Sequence, residues 1–304
     1  MISGPQNMIR VIASDMDGTL LNNNHVFSKK TVESIKKACE NGIRFMVVTG
    51  RNYVSALEAL SKTDLVCDYI LSSGAEIRDP DRNVKMSIVL TIDQCEYLYE
   101  KLKAYSIGIM FCSEERNYVI GTFEEADNGI LDYIKYFHET KEREELKKSP
   151  LYEMMWAKTT NLPDFQTLKE MGVVITKMFL VSDYVDQLQD IKQQLEERGD
   201  LAVSSSFKYN LEVTDIRAQK GPILKEYIES LGYTMDEVMV LGDSLNDYSM
   251  MEMDFGATIA MANADEEIKK VAKYMTKSNE EDGVAYVIDE MLKMYQKEKE
   301  QETW

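Results

Sequence analysis

Two histidines and four cysteines are all that 304 residues offer to a soft metal or a disulfide framework. Cys39, Cys67, Cys95 and Cys112 show no Cys-x-x-Cys spacing, and neither His25 nor His138 lies near a thiol. A zinc site and a stapled secreted scaffold are thereby excluded, and free thiols in a reducing compartment are expected. Positive charge is also scarce, with 35 Lys and Arg against 53 Asp and Glu and a formal net charge of -18. Such a field disfavours nucleic acid and anionic membrane as partners, and an anionic substrate would need a local cationic site. No apolar run approaches the length that spans a bilayer. Residues 1–8 are polar and lack an apolar centre, so no secretory signal is predicted and a cytoplasmic location is expected. There is no internal repeat or low-complexity linker, and nothing signals an oligomeric state.

What is present is a globular composition, 44% hydrophobic and 29% charged, long enough for a full core and two domains, one inserted in the other. Residues 9–14 read as a buried strand, followed by a helix capped by Ser28 with Val32, Ile35 and Cys39 on one face and Gly42 as its stop. A strand at 43–48, a helix with Leu57 and Leu60 inward and a strand at 68–71 continue the alternation that marks a parallel sheet with crossover helices. The rhythm breaks at the turn-rich 78–83. Beyond it the pattern predicts a strand at 86–90, a helix with a capping box from Asp93 to Glu96, and a hairpin of 107–111 with 118–122. A charged helical stretch at 124–148 follows, whose block 141–148 reads as a solvated face. Strands at 154–158 and 174–181 and helices after Pro163 and over 185–198 complete an α+β unit with helices on one face. From about Leu201 parallel logic returns: strands at 209–214, 238–241 and 257–261, helices at 220–231, 266–274 and 283–299. The expected fold is α/β, a doubly wound parallel-sheet (Rossmann-like) core from 1–82 and 207–304, with an inserted α+β cap at 83–206.

Asp15 and Asp17 sit just past the first strand, two residues apart, so an extended backbone aims both the same way. Like charges that close need a cation or a shared proton, and Mg²⁺ suits carboxylate oxygens. Asp15 could attack a phosphoryl group and Asp17 could carry protons; a solvated Asp-x-Asp-Gly turn is the alternative. Thr49 and Ser73 also fall at strand ends, where ligands gather in parallel sheets.

Asp15-Met16-Asp17-Gly18-Thr19-Leu20, Thr49, Lys220-Gly221 and Gly242-Asp243-Ser244-Leu245-Asn246-Asp247 resemble, in order, the four motifs of the haloacid dehalogenase-like phosphatases. The stretches 260–264 and 278–284 are similar to the closing segment of the Cof-type branch, which carries a larger α/β (type IIB) cap where this chain has its insert. The resemblance implies a Mg²⁺-dependent phosphatase of a small phosphorylated metabolite, a sugar phosphate or phosphorylated cofactor, with a cap that shuts over the site. Asp15 would form an aspartyl-phosphate, and Asp17 would act as acid, then base, its main-chain carbonyl ligating the metal. Asp243 would complete the metal ligands, with Asp247 holding a coordinated water or bonding Lys220. The Thr49 hydroxyl, the Met16 and Gly50 N–H groups, the Asn246 amide and the Lys220 ammonium would receive phosphate. Gly18 and Gly242 allow close backbone approach.

Singly, several of these residues read otherwise. Thr49 could end a strand, Lys220 could be an exposed first-turn lysine, and Asp243 and Asp247 could cap the following helix. Arg51 either faces substrate or pairs with a surface acid, and Ser73 either lines the entrance or ends its strand. The methionines at 250, 251 and 253 read as core filler, and His138 as solvated. Residues 213–220 lack the proline and glycine usual in this branch, and Ser73 stands where Asn is frequent; Asp215 and Arg217 are then candidate contacts to the leaving group. Two rivals share these residues: a phosphomutase of the same core, and a phosphoacceptor signalling domain without turnover.

Overall fold

The computed structural model describes residues 8–138 and 142–302, so most of the polar opening segment and Lys141 of the charged block lie outside it. The chain divides into two compact units, Met1–Ser87 with Ala218–Trp304, and Ile88–Arg217.

The first unit opens with β1 (Val11–Ser14), buried at every residue. α1 (Lys29–Glu40) starts where Ser28 Oγ accepts from the Thr31 N–H at 3.0 Å, and the chain turns away at Gly42 with φ +81°. Its buried face is Thr31, Ser34, Ile35 and Ala38, whereas Cys39, expected inward, is exposed. Ser34 Oγ donates to Asp289 Oδ1 at 2.9 Å, which turns this face toward the C-terminal helix. β2 (Arg44–Val48), α2 (Tyr53–Leu60) and β3 (Asp68–Leu71) complete the expected alternation. The sheet then continues with β4 (Glu76–Arg78) and β5 (Val84–Ser87), antiparallel to β3 and β4 respectively. The turn-rich 78–83 is therefore a hairpin bend within this sheet, closed by the Asn83 N–H on Asp79 Oδ1 at 2.9 Å.

In the second unit α3 (Ile92–Leu102) is capped by Thr91 with Gln94, two residues earlier than the Asp93–Glu96 box expected. β6 (Gly108–Cys112) and β7 (Asn117–Ile120) form the hairpin. After α4 (Phe123–Ile134) and α5 (Arg143–Leu146), residues 154–158 are not a strand. Ser149 caps and Pro150 opens α6 (Pro150–Ala157), and the strand is β8 (Thr159–Leu162). α7 (Phe165–Met171), β9 (Lys177–Val181), α8 (Val185–Glu196), β10 (Leu201–Ser204) and β11 (Asn210–Asp215) follow. Among the described residues they make a six-stranded sheet, β10-β11-β9-β6-β7-β8, antiparallel except for β7 on β8. Residues 207–217, expected in the core, thus belong to this unit. The sheet is also covered on both faces: Phe111, Met178 and Leu180 pack with α3, α7 and α8, while Met110, Val119 and Phe179 pack with α4 and α6.

The chain re-enters the first unit with α9 (Lys220–Ser230) and β12 (Val238–Gly242). α10 (Tyr248–Met251), β13 (Ala257–Ala260), α11 (Glu266–Val271), β14 (Tyr274–Met275) and α12 (Gly283–Glu302) complete it. Tyr274 is thus in a short edge strand rather than the helix expected there. The sheet runs β14-β13-β12-β1-β2-β3-β4-β5, parallel from β14 to β3. This is the expected α/β fold with a parallel Rossmann-like sheet. Asp68, fully buried at the start of β3, receives Arg44 at 2.6 and 2.7 Å and the Tyr227 hydroxyl at 2.6 Å. No helix among the described residues is long and apolar enough to cross a membrane.

Candidate active site

The carboxyl ends of β1, β2 and β12 bring the acids together. β1 lies between β2 and β12, with Ser14 in register with Leu241 and Val47. Asp15 and Asp243 therefore leave neighbouring strands one and two residues past that register. Lys220 reaches the same point from the first turn of α9. Its ammonium, wholly buried, lies 2.6 Å from Asp15 Oδ1, 2.7 Å from Asp247 Oδ1 and 3.3 Å from Asn246 Oδ1. Burial works against the ammonium, but Asp15 and Asp247 outweigh it and hold its pKa above the usual lysine range.

Asp247 is a bracket: Oδ2 accepts from the main-chain N–H groups of Asp243 at 2.9 Å and Ser244 at 3.1 Å, and Oδ1 takes Lys220. Bonding to Lys220 was one of its two expected roles. Asp243 Oδ1 accepts the Thr19 hydroxyl at 2.6 Å. Among the described residues, Asp15, Asp243 and Asp247 each offer an oxygen within 4.8 Å of the others, a cluster able to hold a metal ion. The charges fit a divalent cation, because three carboxylates face one buried ammonium. The surplus shows in the titration. Burial, then the Asp247 charge, hold the Asp15 carboxyl well above the usual range, and the same two causes push Asp243 up to about 8.

Asp17 is treated differently. Arg51 forks onto it, Nε to Oδ2 at 2.8 Å and a terminal nitrogen to Oδ1 at 2.6 Å, and His25 Nδ1 stands 3.6 Å from Oδ1. Partial burial opposes ionisation, but the Arg51 hydrogen bonds, with His25 standing near, prevail and keep this carboxyl well below the usual range. Arg51 thus pairs with an acid, and the acid is the expected proton carrier rather than one on the surface.

Thr49, buried after β2, accepts the Arg51 N–H on its hydroxyl at 3.1 Å. Ser73 donates its N–H to the Thr49 carbonyl at 3.0 Å, and Ser72 to the Arg51 carbonyl at 2.8 Å. Both serines have left-handed φ, +49° and +62°, a costly arrangement that holds the ends of β2 and β3 together. Gly50 follows Thr49 in this loop. The Met16 side chain is buried, and its carbonyl accepts from the N–H groups of Thr19 and Leu21. Asn246 Oδ1 also accepts from Ser244 Oγ at 2.9 Å. Arg217 belongs to the second unit, where it is mostly exposed and pairs with Asp215 at 2.7 Å. Sequence reasoning passed over Thr19, Ser244 and His25. The first two lie inside quoted motifs, whereas His25, at φ +56°, carried no local signal.

A Cβ on Gly18, whose φ is +79°, would lie 2.2 Å from Asp243 Oδ2, so the Asp17–Gly18 turn passes against the Asp243 carboxylate. With that geometry in place, the family model for haloacid dehalogenase-like hydrolases matches residues 12–288. The chain belongs to the haloacid dehalogenase-like hydrolases. The resemblance read from its motifs, Cof-type branch included, stands. This hydrolase is 29% identical over 286 residues to the 5-amino-6-(5-phospho-D-ribitylamino)uracil phosphatase of Bacillus subtilis, covering 93% of this chain and 98% of that one. It is 30% identical over 295 residues to another B. subtilis phosphatase, covering 93% and 100%. A solved B. subtilis haloacid dehalogenase-like hydrolase superposes with a TM-score of 0.80 at 27% identity, over 92% of this chain and 99% of that one.

Proposed function

We propose that this hydrolase is a Mg²⁺-dependent phosphomonoesterase that frees inorganic phosphate from a small phosphorylated metabolite through a phosphoaspartate on Asp15. The observation that carries the reading is the buried Lys220 ammonium 2.6 Å from Asp15, beside an acid cluster with two negative charges in excess. In the first half-reaction an Asp15 oxygen bonds to phosphorus as the bond from phosphorus to the ester oxygen breaks, and Asp17 gives that oxygen its proton. In the second, Asp17 takes a proton from water and the water oxygen bonds to phosphorus. The acyl-phosphate bond breaks, which restores the Asp15 carboxylate and releases phosphate. Lys220 pins one Asp15 oxygen, and Thr49, Asn246 and the Met16 and Gly50 N–H groups are the candidate donors to phosphoryl oxygens. Held by Asp15, Asp243 and Asp247 with the Asp17 carbonyl, Mg²⁺ would supply positive charge against the carboxylates and the phosphate dianion.

The Arg51 fork means that Asp17 rests ionised, so proton delivery requires that the fork loosen. An arriving phosphate dianion is the competing anion that can draw the guanidinium away. The second unit, at 88–217, would act as the cap that selects the leaving group. The four cysteines are free thiols, which supports a reducing, cytoplasmic setting. Substrate choice is approached through the relatives: one acts on a phosphorylated ribityl chain carried by a uracil ring, so such compounds belong in a panel with sugar phosphates and phosphorylated cofactors.

The test is phosphate release over that panel with Mg²⁺, repeated with chelator and with Asp15→Asn. Turnover of at least one compound, lost by about a thousandfold or more in the variant and abolished by chelator, is expected. Undiminished release in either control refutes the mechanism. Isomerisation of a sugar phosphate without phosphate release would identify a mutase instead.

A further inference from the structure

The stretches 260–264 and 278–284 entered the sequence reading only as a family signature, yet they grip the loop that carries Asp17. Asn263, just past β13, donates from Nδ2 to the Gly18 carbonyl at 2.8 Å. Its Oδ1 accepts the Asn279 N–H at 2.9 Å, so its two amide atoms are assigned opposite partners and the side chain has one orientation. Asn279 in turn donates from Nδ2 to the Leu21 carbonyl at 3.0 Å and to Asn23 Oδ1 at 3.2 Å. Beside it, Glu280 Oε1 accepts the Asn23 N–H at 2.6 Å. The loop is thus held at Gly18, Leu21 and Asn23 by side chains more than 240 residues away in sequence. The same segment reaches the other side of the site, where the Asp265 N–H donates to the Asp243 carbonyl at 2.8 Å.

We propose that Asn263 and Asn279 are positioning residues that act as one brace, setting the Asp17 carboxylate and the Thr19 hydroxyl by fixing the Gly18–Asn23 loop from outside. The physical need is plain. A Cβ on Gly18 would lie 2.2 Å from Asp243 Oδ2 and force that carboxylate to move, Thr19 donates to the same carboxylate, and Asp17 is the preceding residue. A small rotation of the Gly18 peptide would move both groups, and a misplacement of about 1 Å can cost a hundredfold in rate. The brace lies outside the buried cluster and touches neither Asp15 nor Lys220, so its loss should leave the acids in place. Its catalytic part rests on the phosphatase reading above; its mechanical part does not.

The experiment compares wild type with Asn263→Ala and Asn279→Ala. Hydrogen exchange is read at the loop amides of Leu21, Asn22 and His25, which bond within the loop, with β1 and β2 amides as internal controls. Steady-state kinetics are read on a substrate found by the panel. Loop exchange at least about fivefold faster, with strand amides unchanged, and kcat lowered about 10–100-fold with KM within about twofold, are expected in both variants. Unchanged loop exchange overturns the proposal, whatever the activity does. So does a loss of protection that spreads to β1 and β2, since the asparagines would then serve general stability. If the wild type turns over no phosphate ester, the phosphatase reading falls, and the exchange arm still decides the brace.

Discussion

Asp243→Asn should make the metal-free protein more stable at mildly alkaline pH while abolishing its response to Mg²⁺. The reasoning starts from the surplus of negative charge at the cluster. Burial first, and the Asp247 charge second, push the Asp243 carboxyl up to about 8, against an ordinary value of 3.8. Between those two values the folded protein binds more protons than the unfolded chain does. Stability from this group is therefore greatest at the acid end and drains away as pH climbs toward 8. Four units at about 1.4 kcal/mol each set a ceiling near 5–6 kcal/mol. Asp15 and Asp243 titrate against each other's charge, and Asp243 keeps some contact with solvent, so about 1–3 kcal/mol is the expected loss between roughly pH 5 and pH 8.

For a unit of this size each kcal/mol is worth about 2–4 °C in Tm. Wild type in chelator should thus lose about 2–12 °C across that range, and Mg²⁺ at about a hundred times its Kd should return nearly 3 kcal/mol at the alkaline end. Asp243→Asn removes one charge from the cluster and barely alters the net charge of the chain, so it separates the site from the general field. Its amide oxygen can still accept the Thr19 hydroxyl. Thermal denaturation with chelator and with Mg²⁺, at several pH values, reads all of this. A chelated wild type whose Tm is flat or rises toward pH 8 would refute the charge surplus, as would an Asn variant less stable than wild type there.

Two other substitutions probe the packing. Gly18→Ala places its Cβ 2.2 Å from Asp243 Oδ2 at φ +79°. A strain of about 1–2 kcal/mol and a kcat at least about tenfold lower are expected, with the circular dichroism spectrum unchanged; normal kcat would contradict the close approach. In the second unit Lys177 and Glu212 form a buried pair at 2.7 Å. Lys177→Met should cost about 3–5 kcal/mol in urea denaturation, and adding Glu212→Met should restore most of it, because an uncompensated buried carboxylate does the damage.

Much of the parallel sheet was legible because its strands are covered on both faces and so are written as short apolar runs that end in turn residues. Residues 209–214 were placed in the wrong unit for a different reason. They alternate apolar and polar, Tyr-Asn-Leu-Glu-Val-Thr, and β11 pairs antiparallel with both its neighbours. Its polar positions are nevertheless buried, Glu212 by its ion pair with Lys177, so the alternation marks neither the unit nor an exposed face. At residues 154–158 the apolar run belongs to α6, and Pro150 as a first-turn residue was the signal that outweighed β propensity. The three-residue β4 leaves too few positions for a period to show, and the strand expected at 86–90 overlaps only the end of β5, so residues 83–87 were assigned to the insert although they belong to the first unit.

The acids of the site were legible one at a time, as polar residues at strand ends, but their assembly depends on facts that no local spacing carries. Asp15 and Asp243 become neighbours because β12 pairs with β1 in a register that sets Ser14 beside Leu241; a shift of two residues would keep every side chain on its face and carry Asp243 about one pleat away. Lys220 arrives from a helix whose first turn must close on both strands. Arg51 could be read as facing either substrate or an acid until the loop after β2 showed it forking onto Asp17. What sequence motifs specify, then, is which chemistry stands at which strand end. Strand register decides whether those ends form one site, whereas the brace proposed from Asn263 and Asn279 would set only how Asp17 and Thr19 stand within it. Substitutions at Gly18, Asn263 and Asn279 therefore separate loop placement from the reactive groups that Asp15→Asn and Asp243→Asn remove.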